Sequence, residues 1–150
     1  MSLHWICKSF QELSLDELYA IMVLRQEVFV IEQNCPYIDA DGKDQESHHF
    51  MGLNEAGELL AYTRLVVPGA IYKEVSIGRV ITAQSMRRTG LGIVLMEKSI
   101  AEIERIYGKV PIRISAQKHL RKFYEKFDFE YVGKEYLEDG IPHIEMLRKA

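Results

Sequence analysis

Val75-Ser76-Ile77-Gly78-Arg79-Val80-Ile81-Thr82, followed within a few residues by Arg87-Arg88-Thr89-Gly90-Leu91-Gly92, decides how this chain is read. The first run is strand-like. After the glycines, Ile93, Met96, Ile100, Ile103 and Tyr107 recur at helical spacing, and Gly108 is a natural stop. Strand, glycine turn, helix is the layout of an anion site. A helix start leaves backbone N–H groups unpaired, and the aligned peptide dipoles put partial positive charge there. Gly90 and Gly92 bring no Cβ into the way of an approaching phosphate, and Arg87 and Arg88 add charged donors.

Spacing discriminates among nucleotide motifs. A Walker A loop needs a lysine and then serine or threonine after its last glycine, and Gly92 is followed by neither. A dinucleotide fingerprint needs a third glycine where this chain has Leu95.

At 150 residues the chain fits one domain, residues 1–150, with a sizeable core. Its 47% hydrophobic and 27% charged residues are ordinary for a globular protein, and a net charge of -3 argues against a dedicated nucleic-acid binder. Cys7 and Cys35 form no C-x-x-C pair, and no signal peptide or membrane-spanning run accompanies them, so a reduced cytoplasmic protein with no membrane partner is expected. Two cysteines and scattered histidines give no zinc-type spacing, and no metal is expected.

In chain order, Trp5 to Phe10 predicts an opening strand. Ser14 and Glu17 form a capping box for a first helix reaching about Val28, beyond which an irregular stretch carries Asp39, Asp41, Asp44 and Glu46 against Lys43 alone. That acidic stretch is either a solvated surface or an attractor for a cationic acceptor. A hairpin follows, His48 to Asn54 and Leu59 to Val67 around Gly57, in which the neighbours His48 and His49 point to opposite faces. After the central helix come a strand from Val110 to Gln117 and a short helix marked by Leu120, Phe123, Tyr124 and Phe127. Two strands, Phe129 to Lys134 and Ile141 to Arg148, meet around Glu138-Asp139-Gly140.

This order, and the match of Arg87 to Gly92 to R-x-x-G-x-G, resembles the GNAT superfamily of N-acetyltransferases over nearly the whole chain. Gln117 to Tyr124 with Glu125-Lys126-Phe127-Asp128-Phe129 is similar to that family's Asn…Tyr-Glu-Lys-Leu-Gly-Phe signature, Gln117 standing for the asparagine and Asp128 for the glycine. Arg25 to Gln33 with Pro36-Tyr37, together with Tyr136 to Ile144, resembles the ElaA-type branch. The implied fold is α+β: a central, mostly antiparallel sheet of six to seven strands, splayed at the cofactor site and flanked by helices.

The resemblance implies transfer of an acetyl group from acetyl-CoA to a primary amine, on a small molecule or an exposed amino group, by direct attack in a ternary complex. Arg87, Arg88, Thr89, Gly90, Leu91 and Gly92 would hold the pyrophosphate. Val80, Ile81 and Thr82 would pair with the pantetheine arm, Gln117 would lie beside it, and Tyr124 would hydrogen-bond the leaving thiolate. Deprotonating an alkylamine of pKa about 10.4 at neutral pH costs roughly 4 to 5 kcal/mol. Glu32, Glu138, Asp139 and His143 are candidates for that task, while Arg64 and Arg79 either face the acceptor or serve structural ion pairs. A CoA-binding sensor without turnover, or an acyltransferase resembling acyl-homoserine-lactone synthases, is the alternative. A homodimer is compatible with all of these.

Overall fold

Among residues 2–150, which the computed structural model describes, the elements are β1 (His4–Ser9), α1 (Leu15–Arg25), β2 (Ser47–Leu53), β3 (Leu59–Val66), β4 (Ser76–Thr82), α2 (Leu91–Tyr107), β5 (Ile112–Gln117), α3 (Arg121–Glu125), β6 (Phe129–Glu138) and β7 (Ile141–Arg148). β1 to β4 form an antiparallel sheet in chain order, and β5, β7 and β6 form a second. The two meet at one parallel bridge, Val75 to Ile112, where the Arg113 N–H donates to the Val75 carbonyl at 3.1 Å. Beyond that bridge β4 and β5 diverge, which is the expected splay.

Side-chain alternation along β3 explains the layers. Ala61 and Leu65 join the main core under α2, and Thr63 reaches Ser99 of that helix at 2.8 Å, whereas Tyr62 packs with Ile21 and Leu24 of α1 on the other face. On α2, Leu95, Met96 and Ile103 are fully buried, each contributing about 2 kcal/mol by transfer from water. In β4 the alternation slips. Ile77 belongs to the α2 core and Ile81 to the α1 cluster although an even spacing separates them, because Arg79 and Val80 together oppose Thr63 in a bulge. Arg79 holds a left-handed φ of 49° there.

Three elements differ from expectation. After α1, capped by Ser14 and Glu17 as the capping box predicts, the chain stays helical and widens into a π-helix over Gln26–Glu32. Irregular backbone begins only at Asn34. β6 continues past Lys134 to Glu138, crossing an irregularity near Gly133, whose φ of 83° suits glycine. The short helix is a 3₁₀ turn, Lys118–Leu120, leading into α3. At its end Asp128 takes φ 68°, so the aspartate makes the left-handed turn for which the family pattern uses glycine. No helix among the described residues is long and apolar enough to cross a membrane.

Candidate active site

The divergence of β4 from β5 opens a cleft of about 780 Å³. One wall is β4 from Ile77 to Thr82, whose edge toward β5 has no strand partner past Val75 among the described residues. The other wall carries Ser115 and Gln117 of β5, His143 of β7 and Tyr124 of α3, and the π-helix lies over the opening with Val28, Phe29 and Glu32.

At the end of β4 a 3₁₀ turn, Gln84–Met86, leads to the glycine loop, which Thr89 braces by donating to the Met86 carbonyl at 2.5 Å. Arg88 and Gly90 both take left-handed conformations, φ 63° and 82°, and Gly90 caps α2 without any side-chain hydrogen bond to the helix. In the first turn of α2 the Ile93 N–H donates to the Gly90 carbonyl at 3.2 Å, which leaves the N–H groups of Leu91 and Gly92 without a helix acceptor among the described residues. A Cβ built on Gly90 would meet nothing within 4 Å, and one on Gly92 would touch the Phe123 ring at 3.6 Å, so the loop backbone borders open space. Arg87 lines the cleft and is ion-paired with Glu32 of the π-helix, a contact that joins the two sides of the opening. Arg87 holds the Glu32 carboxyl below its usual range.

Tyr124 is 8% exposed, with Phe123 and Phe129 edge-on to its ring at 5.2 and 6.2 Å. Its hydroxyl has no protein hydrogen-bond partner among the described residues, and burial pushes it up to about 12, so it carries its proton throughout the physiological range.

In the acidic stretch before β2 Glu46 is exposed, whereas Asp39, Asp41 and Asp44 are drawn into ion pairs. Arg25, on the buried phase of α1 with Ile21 and Leu24, donates to Asp39 at 2.6 Å and to Asp44 at 2.7 Å. Arg64, 2% exposed, donates to Asp41 at 2.7 Å and Asp44 at 3.1 Å, and Arg79 donates to Asp39 at 2.8 Å and lies 3.5 Å from Asp41. Three arginines match three aspartates. The His49 ring closes the group, its Nε2–H donating to the Asp44 carbonyl at 2.9 Å while Nδ1 accepts from Tyr62 at 2.7 Å. Burial alone would raise the Asp41 and Asp44 carboxyls, but Arg64 holds Asp41 well below the carboxylate range, and Arg25 with Arg64 lowers Asp44. The cluster ties the segment after the π-helix to β3 and to the β4 bulge, and it sets Phe29 and Tyr37 each 6.0 Å from the Arg79 guanidinium.

On the far side, the β6–β7 turn brings Glu138, Asp139 and His143 to the cleft, and the Cys35 thiol donates to the Asp139 carbonyl at 3.5 Å. Glu138 and Asp139 pair with no lysine or arginine among the described residues. His143 is 7% exposed and stacks on Tyr136, whose hydroxyl is hydrogen-bonded to Ser115.

Residues 25–150 match the family model described as an acetyltransferase (GNAT) domain. The chain belongs to the GNAT acetyltransferase family. It is 40% identical to protein ElaA of Escherichia coli over 150 residues, covering 99% of this chain and 97% of ElaA. A UPF0039 protein of Synechocystis is 41% identical over 147 residues, covering 98% and 96%. Among solved structures, an acyl-CoA N-acyltransferase from Pseudomonas aeruginosa superposes with TM-score 0.93 at 46% identity, covering 98% of this chain and 99% of that one, and E. coli ElaA does so at 0.90. The ElaA-type resemblance and the GNAT fold are therefore established, and the chain is an acyltransferase. An aminoglycoside 6'-N-acetyltransferase complexed with coenzyme A shares the fold alone, at TM-score 0.71 and 15% identity.

In this GNAT domain the cleft brings together Val80, Ile81, Thr82, Arg87, Gln117 and Tyr124 from distant parts of the chain, along with Glu32, Arg79, Glu138, Asp139 and His143. Arg64 stands apart, because its guanidinium is sealed in the ion cluster behind β4. Arg79 reaches the cleft but its fork is taken by Asp39. Of the two readings of the acidic stretch, neither holds for Asp39, Asp41 and Asp44: counting Lys43 as the only cation missed three arginines supplied by α1, β3 and β4. Arg25 went unnoticed as a functional support, although its place among Ile21 and Leu24 on one helical face was a signal that a buried cation would need acids.

Proposed function

We propose that the chain is an acetyl-CoA-dependent N-acetyltransferase acting on a primary amine by direct attack in a ternary complex. The observation that carries this is the unpaired edge of β4 running from the Arg79–Val80 bulge to the uncapped start of α2, with the Tyr124 hydroxyl in the same cleft. Acetyl-CoA would supply an acyl group on a thiol leaving group. The loop amides from Thr89 to Gly92, with Arg87 and Arg88, would hold its pyrophosphate, Arg87 keeping Glu32 as its ion-pair partner. Val80, Ile81 and Thr82 would hold the pantetheine arm as an added strand, with Gln117 on the facing wall, and a backbone N–H of the bulged stretch would polarise the thioester carbonyl. Holding both reactants in one cleft supplies much of the rate.

Binding is tested by thermal shift. At about a thousand times Kd, a ligand that binds only the folded chain adds roughly 4 kcal/mol. Gly92→Ala keeps the shift, since its Cβ meets Phe123 in ordinary contact, whereas Gly92→Trp loses it by filling the space before the loop amides. A folded Gly92→Trp variant with an undiminished shift would remove the pyrophosphate assignment.

The amine class now rests on fewer charges than the sequence suggested. With Asp39, Asp41 and Asp44 neutralised, Glu138 and Asp139 are the acids left to favour a cationic acceptor. Glu138→Gln with Asp139→Asn raises the acceptor KM roughly two- to fivefold at low salt and by less at high salt, as befits exposed charges. An equal KM at both salt concentrations means that these carboxylates do not attract the acceptor.

A further inference from the structure

The acceptor amine must lose a proton before it attacks, and the structure separates the four candidate groups that line the cleft. Glu32 is committed to Arg87. Asp139 sits at the tip of the β6–β7 turn in a left-handed conformation, φ 51°, and is exposed. Glu138 has a side chain 55% exposed and lies against His143. His143 alone is both nearly buried and on the cleft wall, on the strand next to β5, opposite Gln117 in register and stacked on Tyr136 of β6.

The hydrogen bonds of His143 also prescribe where a proton can go. Nδ1 lies 2.7 Å from the Ile141 carbonyl oxygen, which only accepts, so Nδ1 carries the hydrogen. In the neutral ring Nε2 is then the basic nitrogen, and Glu138 Oε2 stands 3.3 Å from it. That is an ion-pair distance without hydrogen-bond alignment, so among the described residues no partner occupies the Nε2 lone pair. Glu138 thus stands beside the charge that appears on the ring when Nε2 takes a proton. Among side chains imidazole is also the one whose basicity best suits proton transfer near neutral pH.

We propose that His143, through Nε2 and with Glu138 as its positioning residue, is the general base for the acceptor amine. The assignment rests on the acetyltransferase reading and names its missing base. The ammonium N–H bond breaks and its proton moves to Nε2. The free amine attacks the thioester carbonyl, the C–N bond forms and the C–S bond breaks. The second amine proton ends on the released thiol, and His143 returns the first to solvent past exposed Glu138. The products are amide, free thiol and one proton.

Asparagine at this position keeps an N–H for the Ile141 carbonyl and has no basic atom, so His143→Asn is the informative variant. It is compared with wild type on the best alkylamine of an acceptor screen and on that amine's β-fluorinated analogue, which is close in size and far less basic. The expected result is a loss of about a hundredfold in kcat/KM on the alkylamine, shrinking to a few-fold on the analogue, with the acetyl-CoA thermal shift retained. An equal loss on both amines, or none on either, overturns the assignment. Long-range ¹H–¹⁵N spectra of the wild type supply a readout independent of turnover: a neutral ring protonated at Nε2 instead of Nδ1 also overturns it. Wild type that releases thiol with no amine at all refutes the acetyltransferase reading instead, so the two failures are distinguishable.

Discussion

Replacing Arg25 with methionine lowers the melting temperature by about 10 °C, which corresponds to roughly 3 kcal/mol for a domain of this size. Methionine fills much of the space, so the loss is not one of packing. Arg25 is fully buried, and its removal leaves the buried Asp39 and Asp44 with one cation fewer, Asp39 paired with Arg79 and the Tyr37 hydroxyl and Asp44 with Arg64. Stranding a carboxylate in low dielectric costs more than the pair contributes when intact. The pH dependence has a definite sign. Asp41 and Asp44 are depressed in the folded chain, so the stability they contribute is complete above the unfolded carboxylate pKa and is lost as pH falls through their folded values. Wild type therefore resists acid to below about pH 4, and Arg25→Met begins to unfold at higher pH than wild type. Acid titration followed by circular dichroism reads both effects. A melting temperature within about 2 °C of wild type would show that the cluster contributes little to holding the segment.

In the proposed role, in which its hydroxyl acts as charge develops on sulfur, Tyr124→Phe lowers kcat by about a hundredfold with little change in acetyl-CoA affinity. The numbers favour a shared hydrogen bond over full proton transfer. A thiol near 8.5 and a tyrosine pushed up to about 12 differ by about 3.5 units, or roughly 5 kcal/mol against transfer. The same burial keeps the hydroxyl a donor through the physiological range. Stopped-flow measurement of thiol release, with chemistry shown to limit the rate, checks the expectation. Wild-type turnover in this variant would return Tyr124 to packing against Phe123 and Phe129.

Local chemistry determined a large part of this protein. The capping box at Ser14, the helical spacing from Ile93 to Tyr107 and the glycine pair before it each act within a few residues, and those elements lie where the residues place them. The glycine loop is legible for the same reason: a turn into a helix start is made from consecutive backbone groups. The R-x-x-G-x-G spacing and the Gln117–Phe129 string added the family.

Tertiary structure decided what depends on charges far apart in the chain. Asp39, Asp41 and Asp44 look like free acids when counted in their own stretch, because the arginines that neutralise them come from α1, β3 and β4, up to 40 residues away. The bulge at Arg79–Val80 was likewise invisible, since only the register against β3 reveals an extra residue. His143 shows the same limit at the active site. Its residue type marked it as a candidate, but which nitrogen is basic follows from an Ile141 carbonyl and a Glu138 carboxylate placed by the β6–β7 turn. Backbone patterns are short-range and so are written in the sequence, whereas partners of buried charges and rings are chosen by how the strands and helices pack.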